Sequence, residues 1–170
     1  MTSGMRGRAV VIFPLLPEPD PVASLRRRFD PLVDVVAAHL TLVLPFESDL
    51  SLADLRDHVA HAVRGSEPFP IRLEGVTGVQ DSYLFLNVTL GNARLVELYE
   101  RLYSGPLQPY RSLEFSFLPH VTVGRLPSAE AMQAALLVAA SLHIAIDTRA
   151  SALSICDAAM NGVVSEVPLQ

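Results

Sequence analysis

The sequence predicts an α+β fold with mixed or antiparallel sheets. Strands and helices alternate along the chain, but the predicted strands 70–79 and 83–90 are joined only by a polar turn at 80–82, as in a hairpin. Such pairs favour antiparallel neighbours over a parallel sheet. The chain has 170 residues, 50% of them apolar, and no linker divides it, so residues 1–170 are expected to form one domain.

Apolar periodicity and capping residues locate the individual elements. Ser51 with Asp54 forms a capping box for a helix that reaches about Arg64, and Ser128 caps a last helix rich in alanine and leucine. The other predicted helices are 22–29, with Arg26, Arg27 and Arg28 mostly facing water, and a segment carrying Leu95, Leu98, Tyr99 and Leu102. The predicted strands are 8–16, 39–46, 70–79, 83–90, 114–125, 143–155 and 163–167.

Composition and charge exclude several classes of function. All 13 basic residues are arginine, so a Schiff-base lysine and a P-loop lysine are both excluded. The net charge of −5 argues against a protein that coats long nucleic acid, because such affinity comes from phosphate neutralisation. This net charge does not exclude a small phosphate ligand or one RNA end as the ligand.

Cysteine use and hydropathy indicate a cytoplasmic protein without a membrane partner. Cys156 is the only cysteine, so neither a disulfide framework within the chain nor a cysteine metal cluster can form, which suits a reducing compartment. The apolar run 9–16 is short and lacks a small-residue cleavage pattern, which disfavours secretion. The run 131–142 is too short to span a bilayer.

Two of the predicted strands carry the same motif, a histidine followed two residues later by a threonine. The motifs are His39 with Thr41 and His120 with Thr122. Residues i and i+2 of a strand point to the same side, so each strand presents an imidazole beside a hydroxyl, and its other face is aliphatic. Chance predicts about 0.2 such pairs in a chain of this composition, so the presence of two indicates a site.

With these motifs the chain resembles the 2H phosphoesterase superfamily, the group of bacterial 2′-5′ RNA ligases and cyclic phosphodiesterases. That family is named for two His-x-Thr-x motifs, and the resemblance extends over nearly the whole chain, including the run from His120 to Arg125. It implies a bilobal fold of two sheets, with helices packed outside and one motif per lobe facing a central cleft. It also implies that His39 and His120 are catalytic and that Thr41 and Thr122 bind the substrate.

The chemistry of these side chains fits that implication. Opening a 2′,3′-cyclic phosphate needs a base to activate water and an acid to protonate the departing ribose oxygen. Histidine titrates near pH ~6.5, so one imidazole can be neutral while the other is charged. Threonine hydroxyls can donate to the non-bridging phosphate oxygens, and no metal is required. Which histidine is the base and which the acid stays open, as does the balance between hydrolysis and the reverse 2′-5′ ligation.

Arg125 is a further candidate for substrate binding, since a guanidinium can hold a phosphate through two parallel hydrogen bonds. Strand parity places Arg125 on the face opposite His120, unless Gly124 marks a bulge. The alternative interpretation is an arginine on the outer surface.

Other polar and aromatic groups have simpler interpretations. Asp54, His58 and His61 share one helix face and are better explained as solvated than as metal ligands, because no fourth ligand is evident. The arginine run 26–28 is expected to be solvated, although it could steer an RNA backbone. Four aromatic residues could stack a base, but core packing explains each of them better: Tyr83, Tyr110, Phe115 and Phe117.

The sequence therefore predicts a metal-independent phosphoesterase, without a cofactor, that hydrolyses the 2′,3′-cyclic phosphate or a related cyclic phosphodiester of a nucleotide or RNA end. The main alternative is a non-catalytic nucleotide- or RNA-end-binding module on the same fold. A structural protein with a vestigial cleft and a metal-dependent hydrolase are weaker alternatives. The physiological substrate, the choice of a 2′- or 3′-phosphate product and the oligomeric state stay open.

Overall fold

The computed structural model describes residues 6–160 and 162–170, and this part of the chain forms eight strands and four α-helices. The strands are β1 (Arg6–Ile12), β2 (Leu40–Ser48), β3 (Phe69–Val79), β4 (Tyr83–Leu90), β5 (His120–Arg125), β6 (Ala145–Ala150), β7 (Ala152–Asp157) and β8 (Val163–Pro168). The helices are α1 (Asp20–Phe29), α2 (Leu52–Ala62), α3 (Asn92–Leu102) and α4 (Ala129–Ser141), and a short 3₁₀ helix (Gly105–Tyr110) lies between α3 and β5. The predicted α+β class is confirmed.

Hydrogen bonds join all eight strands into one sheet in the order β6-β3-β4-β5-β2-β1-β7-β8. Every neighbouring pair is antiparallel, as the hairpin-like pairs predicted. The two separate sheets that were expected are therefore replaced by a single sheet. Its two four-stranded halves meet at β5 and β2, where the pairing is confined to Leu40 and Val121.

The helices pack against the face of the sheet that carries its aliphatic residues. Helix α1 packs on β5, α4 on β3 and β4, and α3 on β2. The side chains beneath them that are at most 1% exposed include Leu40, Leu42, Leu84, Leu86, Val121 and Val123. Burial of each such side chain contributes about 1.5–3 kcal/mol, which holds the two central strands rigidly at the middle of the sheet.

Three predicted element boundaries are wrong, each for a physical reason. Strand β1 ends at Ile12 and not at residue 16, because Pro14 cannot donate to a neighbouring strand. Strand β5 begins at His120 and not at residue 114, since Phe117 stacks on Tyr99 of α3 and no strand within residues 6–160 and 162–170 pairs with that segment. The predicted strand 143–155 is broken at Ser151, where the chain leaves one strand neighbour for another.

The prediction that the arginines of α1 face water is wrong for Arg26. Arg27 and Arg28 are exposed. Arg26 is only 2% exposed and forms ion pairs with Glu18 and Asp30. A buried guanidinium is tolerated because these two carboxylates satisfy its charge.

The capping predictions for two helices are confirmed. The Ser51 hydroxyl accepts the Asp54 backbone N–H at 3.0 Å, and the Ser128 hydroxyl accepts the Ala131 backbone N–H at 3.2 Å. Within residues 6–160 and 162–170, no helix combines the length and the apolar content that crossing a membrane would need.

Candidate active site

The two histidine motifs lie side by side in the middle of the sheet. Leu40 of β2 is paired with Val121 of β5 in an antiparallel register. In that register His39, which precedes Leu40, faces Thr122, which follows Val121, and Thr41 faces His120 in the same way. Each histidine therefore lies opposite the threonine of the other motif, and the two imidazoles are related diagonally across the strand pair.

All four motif side chains share one face of the sheet, opposite the helices. The intervening aliphatic residues are fully buried beneath α1 and α3. The motif residues are partly buried and alternate with them: His39, Thr41, His120 and Thr122. The face thus offers two imidazoles and two hydroxyls to anything that approaches the centre of the sheet from this side.

The two imidazoles are held in the same way. His39 Nδ1 lies 2.9 Å from the carbonyl oxygen of Ala37, and His120 Nδ1 lies 2.6 Å from that of Leu118. A carbonyl can only accept, so in the neutral ring Nδ1 carries the proton and donates it. The Nε2 atom of each ring is then left with a free lone pair, which is the form that a general base requires.

Burial lowers the pKa of both imidazoles below the ordinary value of 6.5. For His39, the bond to Ala37 opposes this effect, the positive charge of Arg26 adds to it, and Asp30 counters it. For His120, the bond to Leu118 raises the pKa and the charge of His39 lowers it further. The mutual repulsion means that the two rings do not readily carry protons together.

Each histidine also has a phenylalanine beside it. Phe85 of β4 lies opposite Thr122 in the register, and its ring stacks on His120 with centroids 3.5 Å apart at an interplanar angle of 13°. The Phe13 ring lies 6.0 Å from that of His39, tilted by 59°. These rings exclude water from one side of each imidazole, in keeping with the lowered pKa values.

Arg125 lies on the same face as the histidines because the β4–β5 ladder contains a register shift. Leu84 is paired with Gly124, whereas the next residue, Phe85, is paired with Thr122, so β5 has one extra residue at this point. This shift is a β-bulge, and without it strand alternation would place Arg125 on the face opposite His120. Arg125 pairs with Tyr83, and its Nη2 donates to the Tyr83 hydroxyl at 2.6 Å.

The sequence pattern did not identify Phe13 or Phe85. Phe85 alternates with Tyr83 and Asn87 on β4, which shows that the three share a face. That this face adjoins His120 depends on the neighbour of β4 in the sheet, which the sequence does not specify.

The other aromatic candidates have varied surroundings. Phe117 stacks on Tyr99 at 4.1 Å and is partly buried, in keeping with core packing. Tyr110 contacts Phe46 at 4.8 Å but is 37% exposed, so the prediction of core packing is wrong for this ring. Phe115 is 56% exposed in the loop that precedes β5.

The helix-borne group Asp54, His58 and His61 does not converge. Asp54 accepts from the Ser51 hydroxyl, His58 Nε2 lies 2.8 Å from the Leu102 carbonyl oxygen, and His61 is exposed. Among the residues that the structure describes, no three His, Cys, Asp or Glu side chains form a cluster able to hold a metal ion.

Comparison with known proteins supports the family that the two His-x-Thr motifs indicate. A family profile described as the 2′-5′ RNA ligase superfamily matches residues 13–159. The "Putative phosphoesterase" of Halalkalibacterium halodurans is 34% identical over 119 residues, covering 68% of each chain. A protein of the same name from Bacillus pumilus is 32% identical over 119 residues, again covering 68% of each chain.

Solved structures share the fold at low sequence identity. E. coli LigT complexed with 3′-AMP matches with a TM-score of 0.56 and 16% identity, covering 98% of this chain and 96% of that one. Kluyveromyces marxianus Usb1 with uridine monophosphate matches with a TM-score of 0.58 and 14% identity, covering 97% of this chain and 99% of that one.

Proposed function

This chain belongs to the 2′-5′ RNA ligase superfamily, and from that premise we propose that it hydrolyses the 2′,3′-cyclic phosphate, or a related cyclic phosphodiester, of a nucleotide or RNA end. The family and the relatives support an enzyme of the phosphoesterase or ligase kind. In this proposal His39 and His120 are the catalytic acid and base, no metal takes part, and the reverse reaction gives 2′-5′ RNA ligation.

The observation that carries the proposal is the matched presentation of the two imidazoles. Both Nδ1 atoms are bonded to the carbonyl two residues earlier, and among the described residues neither Nε2 atom has a protein hydrogen-bond partner. General acid–base catalysis needs a proton acceptor on one side of the reacting phosphorus and a proton donor on the other. Two diagonally related imidazoles on adjacent strands supply that pair.

The proposed step is a single in-line displacement. One Nε2 takes a proton from water while the water oxygen forms a bond to phosphorus. The bond from phosphorus to one ribose oxygen breaks, and the protonated Nε2 of the other histidine gives its proton to that oxygen. The products are a phosphomonoester and a free ribose hydroxyl, and proton exchange with solvent restores both rings. In the ligation direction, a 5′-hydroxyl replaces water as the nucleophile on the 2′,3′-cyclic phosphate. Its oxygen forms a bond to phosphorus, the bond from phosphorus to the 3′-oxygen breaks, and the same proton transfers leave a 2′-5′ linkage and a free 3′-hydroxyl.

The threonines and Arg125 are proposed to hold the phosphate. Thr41 and Thr122 lie beside the histidines on the same face, where their hydroxyls can donate to the two non-bridging oxygens. Those oxygens gain charge in the transition state, so the bonds strengthen there. Arg125, at the far end of β5 from His120, is proposed to pair with phosphate charge of the same substrate.

The lowered pKa values fit these roles once the substrate's charge is included. In the free protein, both rings favour the neutral form near pH 7, so a base is available. A bound phosphate anion favours protonation of the nearer ring, which supplies the acid. The solved structures of similar fold that contain 3′-AMP or uridine monophosphate support a nucleotide or RNA end as the ligand.

The test is turnover of the four 2′,3′-cyclic nucleotides and of a short RNA ending in a cyclic phosphate, with EDTA present throughout. We expect turnover by the parent protein and a loss of about 10²–10⁴-fold in His39→Ala and in His120→Ala, because each removes a general acid or base. His61→Ala is the matched control, since this exposed histidine lies on α2 and should leave the rate unchanged.

Three results would count against the proposal. Abolition of turnover by EDTA would indicate a metal-dependent reaction. Turnover that survives in both histidine variants would place the chemistry elsewhere. No turnover by a folded parent protein that nevertheless binds these ligands would favour the binding module.

A further inference from the structure

We propose that Arg26, held by Glu18 and Asp30, is a positioning residue for His39 in the reaction proposed above, on which this inference rests. Arg26 lies on α1 and is 2% exposed, an unusual burial for an arginine. Neither motif contains it, and it does not share the face of the sheet that presents the two imidazoles.

The guanidinium of Arg26 ties together two carboxylates and the chain that leads to His39. Its Nε donates to Asp30 Oδ2 at 2.7 Å, and its Nη1 donates to Glu18 Oε1. Its Nη2 donates to the carbonyl oxygen of Val36 at 2.7 Å. One buried cation thus connects α1 to the backbone three residues before the histidine.

Glu18 completes the connection from the other side. Its Oε1 accepts the backbone N–H of Ala38 at 2.6 Å, so the residue immediately before His39 is held as well. Val36 and Ala38 are therefore both bonded to the same ion pair, and Ala37 lies between them. The carbonyl of Ala37 is the group that accepts the proton of His39 Nδ1 at 2.9 Å.

This arrangement gives Arg26 a defined route to the reacting atom. The ion pair sets the orientation of the Ala37 carbonyl, that carbonyl selects the Nδ1–H tautomer of His39, and the tautomer leaves Nε2 free for proton transfer. Arg26 and Asp30 also act on His39 through their charges, with opposite effects on its pKa.

His120 is supported differently. Its Nδ1 bonds to Leu118 in an equivalent way, but among the described residues no charged side chain bonds to the backbone of 117–119. The segment is anchored instead by the stacking of Phe117 on Tyr99. A change at Arg26 should consequently affect one histidine and not the other.

The experiment uses Arg26→Lys and Glu18→Gln in the full chain, because Arg26→Ala would leave two partly buried carboxylates without their cation and could unfold the protein. Arg26→Lys keeps the charge but cannot reach both carboxylates and Val36 together. Glu18→Gln keeps an oxygen for Ala38 but removes the charge. The readout is the ¹⁵N NMR spectrum of the imidazole nitrogens, with signals assigned from His39→Ala and His120→Ala, and it does not depend on activity.

We expect the parent to show a single Nδ1–H tautomer for His39, and both variants to shift it toward a mixture of tautomers while the His120 signals stay in place. The control is Arg101→Lys. Arg101 likewise bonds to a carboxylate, Glu97, and to the carbonyls of Ala62 and Arg64. It does not bond to the segment that precedes His39 or to the one that precedes His120. It should leave the His39 signals unchanged.

Kinetics on whichever substrate is turned over gives a second readout. Arg26→Lys should lower kcat about tenfold or more with KM within about twofold, and should cause no further loss in a His39→Ala background. Unchanged His39 signals in folded Arg26→Lys, or equal shifts of His39 and His120, would overturn the inference. If no substrate is turned over, the proposed function fails, but the NMR result still decides the positioning role.

Discussion

At the candidate site, the two histidines are equivalent in their backbone support and different in their surroundings. Both donate through Nδ1 to the carbonyl two residues earlier. His120 is covered by the stacked ring of Phe85, whereas His39 lies near a buried ion pair. Because the two imidazoles have the same backbone support but different surroundings, one of them can act as the acid and the other as the base.

The threonines provide the first prediction. Thr122→Val removes a hydroxyl while keeping a β-branched side chain of similar volume, so kcat should fall about 10²–10³-fold, the cost of losing one donor to a developing oxyanion. Steady-state kinetics on a cyclic nucleotide checks this expectation. Thr122→Ser, which retains the hydroxyl, is the matched control, and equal losses in the two variants would contradict a hydrogen-bonding role.

The directions of the histidine pKa shifts predict an acidic optimum. The reaction needs one neutral and one protonated imidazole, and both pKa values lie below 6.5 in the free protein. The singly protonated form is therefore most abundant below about pH 6.5, and kcat/KM, which reports the free enzyme, should peak there. A pH series of kcat/KM measures this. A maximum well above pH 7 would mean that the rings titrate differently from what their burial implies.

At the level of the strand, Gly124 allows the bulge of β5 and the close packing of α1 to occur at the same position. It lies at the point where β5 gains its extra residue, and it is buried against both Leu84 and Phe29 of α1. A Cβ at this position would lie 2.9 Å from Leu84 Cδ1 and 3.0 Å from Phe29 Cβ. The close approach of α1 to β5 thus requires a glycine at this position. The same position belongs to the bulge that places Arg125 on the face of the sheet that carries the histidines.

Gly124→Ala should accordingly lower the free energy of unfolding by about 1–3 kcal/mol, as overpacking of a well-packed interior does. Urea denaturation measures the change. Gly162→Ala is the control because, apart from its chain neighbours, no described residue lies within 4 Å of its added Cβ, and its effect should stay within about 0.5 kcal/mol. Equal stability of the two variants would show that α1 can move away from β5 at no cost.

For the molecule as a whole, the shape of the sheet follows from its connections. Only Ser151 separates β6 from β7, so Ala150 and Ala152 are at most about 7 Å apart. Yet β6 is the first strand in the sheet order and β7 the seventh. The sheet must therefore curl strongly enough to bring these strands together, and the hydroxyl of Thr148 in β6 donates to the carbonyl of Pro14, just beyond β1, at 2.6 Å.

The histidines also predict how stability depends on pH. Because their pKa values are lower in the folded protein than the ordinary 6.5, the unfolded chain binds more protons as the pH falls below 6.5. Their contribution is thus fully present above pH 6.5 and is lost as the pH falls from there through the folded pKa values. Urea midpoints at pH 7.5 and pH 5.5 should show a loss that is smaller in a His39→Gln/His120→Gln double variant. Equal losses would assign the effect to other groups.

Local pattern was sufficient for the features that depend on neighbours along the chain. Helix caps at Ser51 and Ser128 and the α+β class follow from spacing and side-chain chemistry, which operate over a few residues. The family followed from the two His-x-Thr motifs, since alternation along a strand alone places an imidazole and a hydroxyl on one face. These features do not depend on which strands become partners.

Tertiary structure decided everything that depends on partners far apart in the chain. The stacking of Phe85 on His120, the single sheet and the bulge beside Arg125 all arise from the order in which the strands pair. Arg26 belongs to the same group: its arginine neighbours are solvated, and it is buried because Glu18 and Asp30 converge on it. Burial of a charge depends on its partners in space, and hydropathy along the chain carries no information about them.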